Sequence, residues 1–296
     1  KKFHVREFEK ELAIKFSCKK VLAVSSGTSA IKIALKALGV KPGHEVITQA
    51  FNFVATVEAI IEVGATPIIC NIDDTLNMCE KDLKNKITKK TKVIIPVHML
   101  GVSVDLTKIL SIAKKRKIKI LEDNCEAVGA KYKKKYLGTL GDMGIFSFDF
   151  SKTITTGEGG AILTNNTKLD KYCREYHDHG HQNNKRYPRG KDTVDISGFN
   201  YRMTEMQAVV GKTQLKKLDY ILKENKSRYQ ILEKSLSHVT KVRKIPKHST
   251  SIYDTFIFTV KKKNKKKEII KFLKKNIGTK NLPDAIKWHC AYYWKH

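Results

Sequence analysis

Val21-Leu22-Ala23-Val24-Ser25-Ser26-Gly27-Thr28-Ser29-Ala30 passes from a short apolar run, through a turn of small residues, into a helix-like segment. The run Val21–Ser25 reads as a buried strand and Ser29–Leu38 as the helix that follows it. Gly27 permits a tight turn and a close backbone approach. The free N–H groups of a helix start, with the Thr28 and Ser29 hydroxyls, suit an anion, although an ordinary helix cap accounts for the same residues. The unit recurs downstream. Glu45–Thr48, Thr66–Ile72, Val93–Val97 and Ile118–Glu122 read as strands, and Phe53–Val63, Glu80–Ile87 and Leu106–Arg116 as helices between them. This βα alternation predicts an α/β fold, a mostly parallel sheet with helices on both faces. Gly144–Phe148 and Ala161–Thr164 are two more strands with no long helix between them, so the sheet is expected to be mixed.

The pattern then changes. Asp178 to Ser197 is rich in His, Asn, Arg, Gly and Pro and reads as a long loop, which in a compact domain is usually functional or mobile. A long helix follows, roughly Thr204 to Ser237, with room for a break or bend and with Thr204 as its N-cap. Tyr253–Val260 (strand) and Glu268–Lys275 (helix) open a smaller C-terminal α/β domain. We expect a large domain over 1–220 and the start of an incomplete small one over 221–296. The chain does not open on Met, and residues are expected to precede it.

Composition narrows the function classes. A 41% apolar content supports a real core. No run of about 18 apolar residues is present, so no membrane span is expected, and the charged opening residues do not read as a signal peptide. The formal charge of +29 raises nucleic-acid binding as a reading. Only eight basic residues are Arg, however, and the lysines spread over many segments. The densest run, Lys261 to Lys267, reads as a solvated connection. Six cysteines without a CxxC pair suit neither zinc nor a disulfide framework, and reduced thiols in the cytoplasm are expected.

Two further segments carry chemistry. Leu121-Glu122-Asp123-Asn124-Cys125-Glu126 puts two acids at the carboxyl end of an apolar strand, where open α/β sheets bind ligands. A buried Asp there needs a positive partner, unless it merely caps the next helix. Ser147-Phe148-Asp149-Phe150-Ser151-Lys152 precedes Gly157-Glu158-Gly159-Gly160, and a Lys so placed suits a Schiff-base nucleophile, although most lysines are simply solvated.

Taken in order, with Phe51-Asn52-Phe53-Val54-Ala55-Thr56 and Gly198-Phe199-Asn200-Tyr201-Arg202-Met203-Thr204-Glu205, these segments resemble the DegT/StrS family of sugar aminotransferases. The likeness runs from about Phe8 to about Leu218 and more weakly beyond. It implies the fold-type I architecture of pyridoxal-phosphate enzymes. It also implies transfer of an amino group, from L-glutamate, to a keto-sugar in cell-surface polysaccharide or lipopolysaccharide biosynthesis. By the resemblance, Lys152 carries pyridoxal 5′-phosphate and moves the proton, and Asp123 pairs with its ring nitrogen. Phe53 stacks on the ring, and Gly27, Thr28, Ser29 and Ser147 surround the phosphate. Asn200 reaches it from the neighbouring subunit, which implies a homodimer with shared sites. Glu126 departs from the Gln or His of many members near the ring hydroxyl, and a carboxylate there repels the phenolate unless protonated or turned away. Asp178-His179-Gly180-His181, with Ser147-Phe148-Asp149, and Trp294-Lys295-His296 are similar to the branch acting on an eight-carbon ulosonic acid, whereas nucleotide-linked 4-keto-6-deoxy hexoses are the commoner acceptors. A sugar dehydratase of the same fold would have His in place of Lys152. A non-catalytic regulator on this scaffold has no need of Asp123, Lys152 and Asn200 together.

Overall fold

The computed structural model describes residues 3–184, 186–188, 190–238, 240–260, 263–273, 275, 278 and 287–296. In chain order, the first half contains α1 (His4–Phe16), β1 (Lys20–Val24), α2 (Gly27–Ala37), β2 (Glu45–Gln49), α3 (Val54–Glu62), β3 (Thr66–Cys70), α4 (Glu80–Lys86), β4 (Thr91–Ile94), α5 (Leu106–Arg116) and β5 (Lys119–Asp123). A two-stranded hairpin, β6 (Lys131–Tyr132) and β7 (Lys135–Tyr136), leads to β8 (Met143–Ser147), β9 (Gly160–Thr164) and α6 (Thr167–Tyr176). Then come α7 (Glu205–Leu236), β10 (Lys241–Val242), β11 (Phe258–Thr259) and α8 (Lys263–Leu273).

Seven strands form one sheet in the order β1-β9-β8-β5-β4-β2-β3. Strand β9 runs against both its neighbours, and the other pairings are parallel, so the sheet is mixed as expected. Side-chain alternation divides each strand between two layers. Leu22, Val24, Met143, Ile145 and Ile162 bury against α2, α3 and α6. Val21, Ala23, Phe146, Phe148, Ala161 and Leu163 bury against α1 and α7, with residues of β2, β4 and β5 meeting α4 and α5 farther along. Helices cover both faces, as parallel strands require.

Two helices were absent from the expected set. Phe8, Leu12 and Phe16 recur every fourth residue and give α1 its buried stripe. Asn166 caps α6 by accepting from the N–H groups of Lys168 and Leu169, and Arg174 of α6 ties to Glu9 of α1 at 3.1 Å. Helix α7 runs 32 residues without a break, straight through residue 220, and opens on a capping box between Thr204 and Gln207. The expected strand Tyr253–Val260 shrinks to Phe258–Thr259. Tyr253 takes a left-handed φ of 57°, and Ile252 N–H donates to Gly101 O, which turns that part of the chain toward residues 99–101. Lys261 and Lys262 of the lysine run, and Lys274 in the expected last helix, lie outside the described residues. Among the described residues no helix is long and apolar enough to cross a membrane, and the six cysteines are unpaired.

Candidate active site

The site forms where β5 and β8 end and α2 begins. Ser26 caps α2: its Oγ accepts from Ser29 N–H at 3.0 Å, and Ser29 Oγ accepts from Ser26 N–H at 2.9 Å while donating to Ser26 O at 2.8 Å. Ser29 is buried and its hydroxyl takes part in this cap. The N–H groups of Gly27 and Thr28 have no acceptor among the described residues. A Cβ at Gly27 would stand 3.0 Å from Ser147 Cβ and 3.2 Å from Cys125 Sγ. Glycine there lets the helix start press against the ends of β8 and β5.

The two acids at the end of β5 separate by strand alternation. Glu122 is fully buried and spoken for: it accepts from the N–H groups of Gly138, Leu140 and Gly141 and contacts His98 Nε2 at 3.1 Å. Asp123 faces the other way. It is 4% exposed, and its Oδ2 accepts from Thr56 Oγ1 at 2.8 Å while Oδ1 accepts from Cys125 N–H at 3.2 Å. No side-chain cation lies within salt-bridge distance of it among the described residues, although it and Lys152 feel each other's charge. Burial raises its pKa above the ordinary carboxylate value, and the Thr56 and Cys125 hydrogen bonds offset this only in part.

Lys152 sits on the 148–159 connection between β8 and β9. Hydrogen bonds close the neck of that connection: Phe148 N–H to Gly159 O and Thr156 N–H to Phe148 O, both 2.9 Å. Its Nζ lies 3.5 Å from Glu126 Oε1. Burial alone would lower the lysine's pKa, but Glu126, then Cys125, Asp123 and Asp149, hold it above the usual range. Glu126 accepts from Leu100 N–H at 3.1 Å and also meets His289 Nε2 at 3.4 Å. Burial pushes its carboxyl up, yet the His289 contact and the Lys152 charge bring it down to about 2. Glu126 is therefore held in its ionised form, turned toward the Lys152 amine and the His289 ring.

Phe53 is the N-cap of α3 and is 38% exposed, with the ring of His289 at 5.2 Å. Ser147 is buried at the end of β8, its Oγ 3.4 Å from Asp149 N–H. Asn200 is not brought to Lys152 within this chain. It is exposed, pairs with Asp178 in an isolated bridge, and its Oδ1 accepts from Arg202 N–H at 3.4 Å. In the long loop, His181 Nδ1 lies 3.2 Å from Asp192, and Asp178 pairs with Arg202. Two residues escaped the sequence reading. Thr56 stands within the quoted Phe51–Thr56 stretch and had a local signal. His289 had none, because only the docking of the 287–293 segment along residues 50–53 brings it in.

A sequence model of the DegT/DnrJ/EryC1/StrS aminotransferase family matches residues 3–293. GDP-perosamine synthase of Escherichia coli O157:H7 is 37% identical over 254 residues, 86% of this chain and 68% of that protein. GDP-perosamine synthase of Caulobacter vibrioides is 41% identical over 214 residues, 72% of this chain and 56% of its own. The crystal structure of NtdA from Bacillus subtilis, with bound cofactor PMP, superposes with a TM-score of 0.87 at 28% identity, over 100% of this chain and 67% of that one. The chain thus spans between about half and two thirds of the length of these proteins. With this match running over nearly the whole chain and the mixed α/β sheet in place, the chain belongs to the DegT/DnrJ/EryC1/StrS aminotransferase family.

Proposed function

We propose that this protein transfers an amino group, from L-glutamate, to a keto-sugar used in building surface polysaccharide. Two of its relatives are named for a GDP-linked product, which favours a nucleotide-linked 4-keto-6-deoxy hexose over an octulosonate as acceptor. Lysine at position 152 disfavours the dehydratase reading. We also propose that residues 1–220 are the large domain and 221–296 the start of the small one.

Family membership makes pyridoxal 5′-phosphate the cofactor, and the residues present fit it. One observation carries the reading: a buried carboxylate, Asp123, hydrogen-bonded by neutral donors and without a salt-bridge partner among the described residues, shares its surroundings with the amine of Lys152. A buried unpaired carboxylate is costly, and a protonated ring nitrogen supplies the missing charge. The unanswered N–H groups of Gly27 and Thr28, beside Ser147, suit the phosphate. Bound there, the cofactor supplies an electron sink for the carbon that bears the nitrogen. In this assignment Asp123 holds the proton on the ring nitrogen, and the open face of Phe53 orients the ring. Lys152 Nζ binds the cofactor and carries the proton to and from substrate carbon.

Asn200 would complete the phosphate site of a partner subunit. The exposed apolar side chains Phe199, Met206, Val209 and Val210 lie close to it in sequence and support a homodimer interface on this side. The net charge of +29 favours encounter with anionic sugars, which predicts a kcat/KM that falls with added salt.

The test is to purify the full-length protein, look for the absorbance of lysine-bound cofactor, trap it with borohydride, and map the labelled peptide. Keto-sugars are then assayed with glutamate. Label on Lys152 and amino-sugar product support the reading, and a colourless protein without transfer refutes it.

A further inference from the structure

The residues from 287 onward fold back over the site. Asn52 N–H donates to His289 O at 2.8 Å, Ala291 N–H donates to Ala50 O at 2.9 Å, and Cys290 pairs with Phe51 in an isolated bridge. These main-chain contacts fix the segment to the start of α3. The imidazole of His289 then lies between two neighbours. Its ring centre is 5.2 Å from that of Phe53, and its Nε2 is 3.4 Å from Glu126 Oε1, the oxygen that also lies 3.5 Å from Lys152 Nζ. Its Nδ1 is buried without a partner among the described residues.

We propose that His289 is a positioning residue for the lysine site, its imidazole fixing the Glu126 carboxylate against Lys152. The inference rests on the cofactor reading above and adds a role for a side chain far away in sequence. A carboxylate with the Lys152 amine on one side and an imidazole on the other has little freedom to turn, and here Leu100 N–H holds its second oxygen at 3.1 Å. Without His289, only Lys152 and one N–H would hold Glu126.

The charged and titratable groups around this point are few. Lys152 faces Glu126, Cys125, Asp123 and Asp149. Glu126 faces His289 and Lys152, and Arg243 and Asp254 of the C-terminal part feel its charge. Among them Glu126 contributes most to retaining the proton on Lys152. Loosening Glu126 should therefore release that proton at lower pH.

The experiment measures acetylation of Lys152 by acetic anhydride against pH, read by peptide mass spectrometry, in the full-length protein stripped of cofactor. Four variants are compared with the parent: His289→Phe, which keeps a ring on Phe53; His289→Asn, which keeps a donor; Glu126→Gln; and the double change His289→Phe/Glu126→Gln. His289→Phe should label roughly threefold faster below the midpoint, a shift of about half a pKa unit. Glu126→Gln should shift the same way and at least as far. The double variant should match Glu126→Gln, because both changes act through one carboxylate. His289→Asn should stay near the parent. A purely structural plug would instead lower the melting temperature, add to the effect of Glu126→Gln, and not be rescued by Asn. An unchanged midpoint in a folded His289→Phe protein, or additive shifts, overturns the proposal. If the parent binds no pyridoxal phosphate, the cofactor reading fails separately, and the labelling still decides whether His289 controls the amine.

Discussion

The hydroxyl of Thr56, in the first turn of α3, donates to Oδ2 of Asp123 at the end of β5 across 2.8 Å, and both groups are buried. A helix start is thereby tied to the acid that we assign to the cofactor's ring nitrogen. Thr56→Val keeps the shape and removes the donor. The carboxylate then loses a charge-assisted hydrogen bond, and cofactor affinity should fall by about tenfold, with about 1 to 3 kcal/mol lost in stability. Titration with pyridoxal phosphate, followed by absorbance, measures the first effect. Unchanged affinity would show that Thr56 does not support Asp123.

Gly27→Ala places a methyl group 3.0 Å from Ser147 Cβ and 3.2 Å from Cys125 Sγ. The start of α2 must retreat from the end of β8, carrying the Gly27 and Thr28 N–H groups with it. Pyridoxal phosphate should bind roughly tenfold more weakly, whereas pyridoxal, which lacks the phosphate, should be little affected. Equal weakening of both would place the phosphate elsewhere.

Lys152→Ala removes the only amine assigned to the chemistry. Turnover should fall by roughly 10³-fold or more, with cofactor still bound through Asp123 and the phosphate site. Borohydride reduction should no longer label the protein. Substantial residual labelling would move the assignment to another lysine.

Asn200 and Lys152 belong, in the proposed dimer, to different chains of one site. Inactive Lys152→Ala and weakened Asn200→Ala proteins, when unfolded together and refolded, should form mixed dimers with one intact site each. Recovered activity above that of either parent is the expected result. No gain on mixing, with dimers present by light scattering, would argue that each site is built from a single chain.

Glu126 gives a pH signature. Its folded pKa, about 2, lies below the ordinary 4.5, so folding favours the ionised form. That contribution, roughly 3 kcal/mol, is complete above the unfolded value and drains away as pH falls from about 4.5 toward 2. The stability advantage of the parent over Glu126→Gln should shrink between about pH 5 and pH 3 in urea unfolding. A constant gap would mean that Glu126 is not held as a charge.

Periodicity makes most of the seven-stranded sheet and its helices readable in the sequence. The short strands carried apolar runs, and their ends at Ser25, Glu122 and Phe148 fell within a residue of the observed ones. Helix α1 is hard to read in the sequence because charges dilute its stripe of Phe8, Leu12 and Phe16, although the four-residue spacing is there. The different fates of Glu122 and Asp123 are implicit in strand alternation, but which side holds the ligand is not. Nothing local marks His289. Its place beside Glu126 arises from main-chain pairing with residues 50–53, and such long-range contacts leave no periodic trace.

Helix α7 has a mechanical consequence. Its 32 residues make a rod roughly 48 Å long. The rod is rooted beside the 148–159 connection, where Gln207 Nε2 donates to Glu158 O and Gly211 packs against the Phe8 ring. Its far half reaches the part of the chain that holds Tyr253 and Phe256, through their ring contacts with Tyr229. Between these ends it is held as well, by buried Leu215 and Leu218, by Lys15 on Asp219, and by Asn225 Nδ2 donating to Ile252 O. A stiff rod fastened at several points makes the lysine connection and the chain around Tyr253 parts of one mechanical unit.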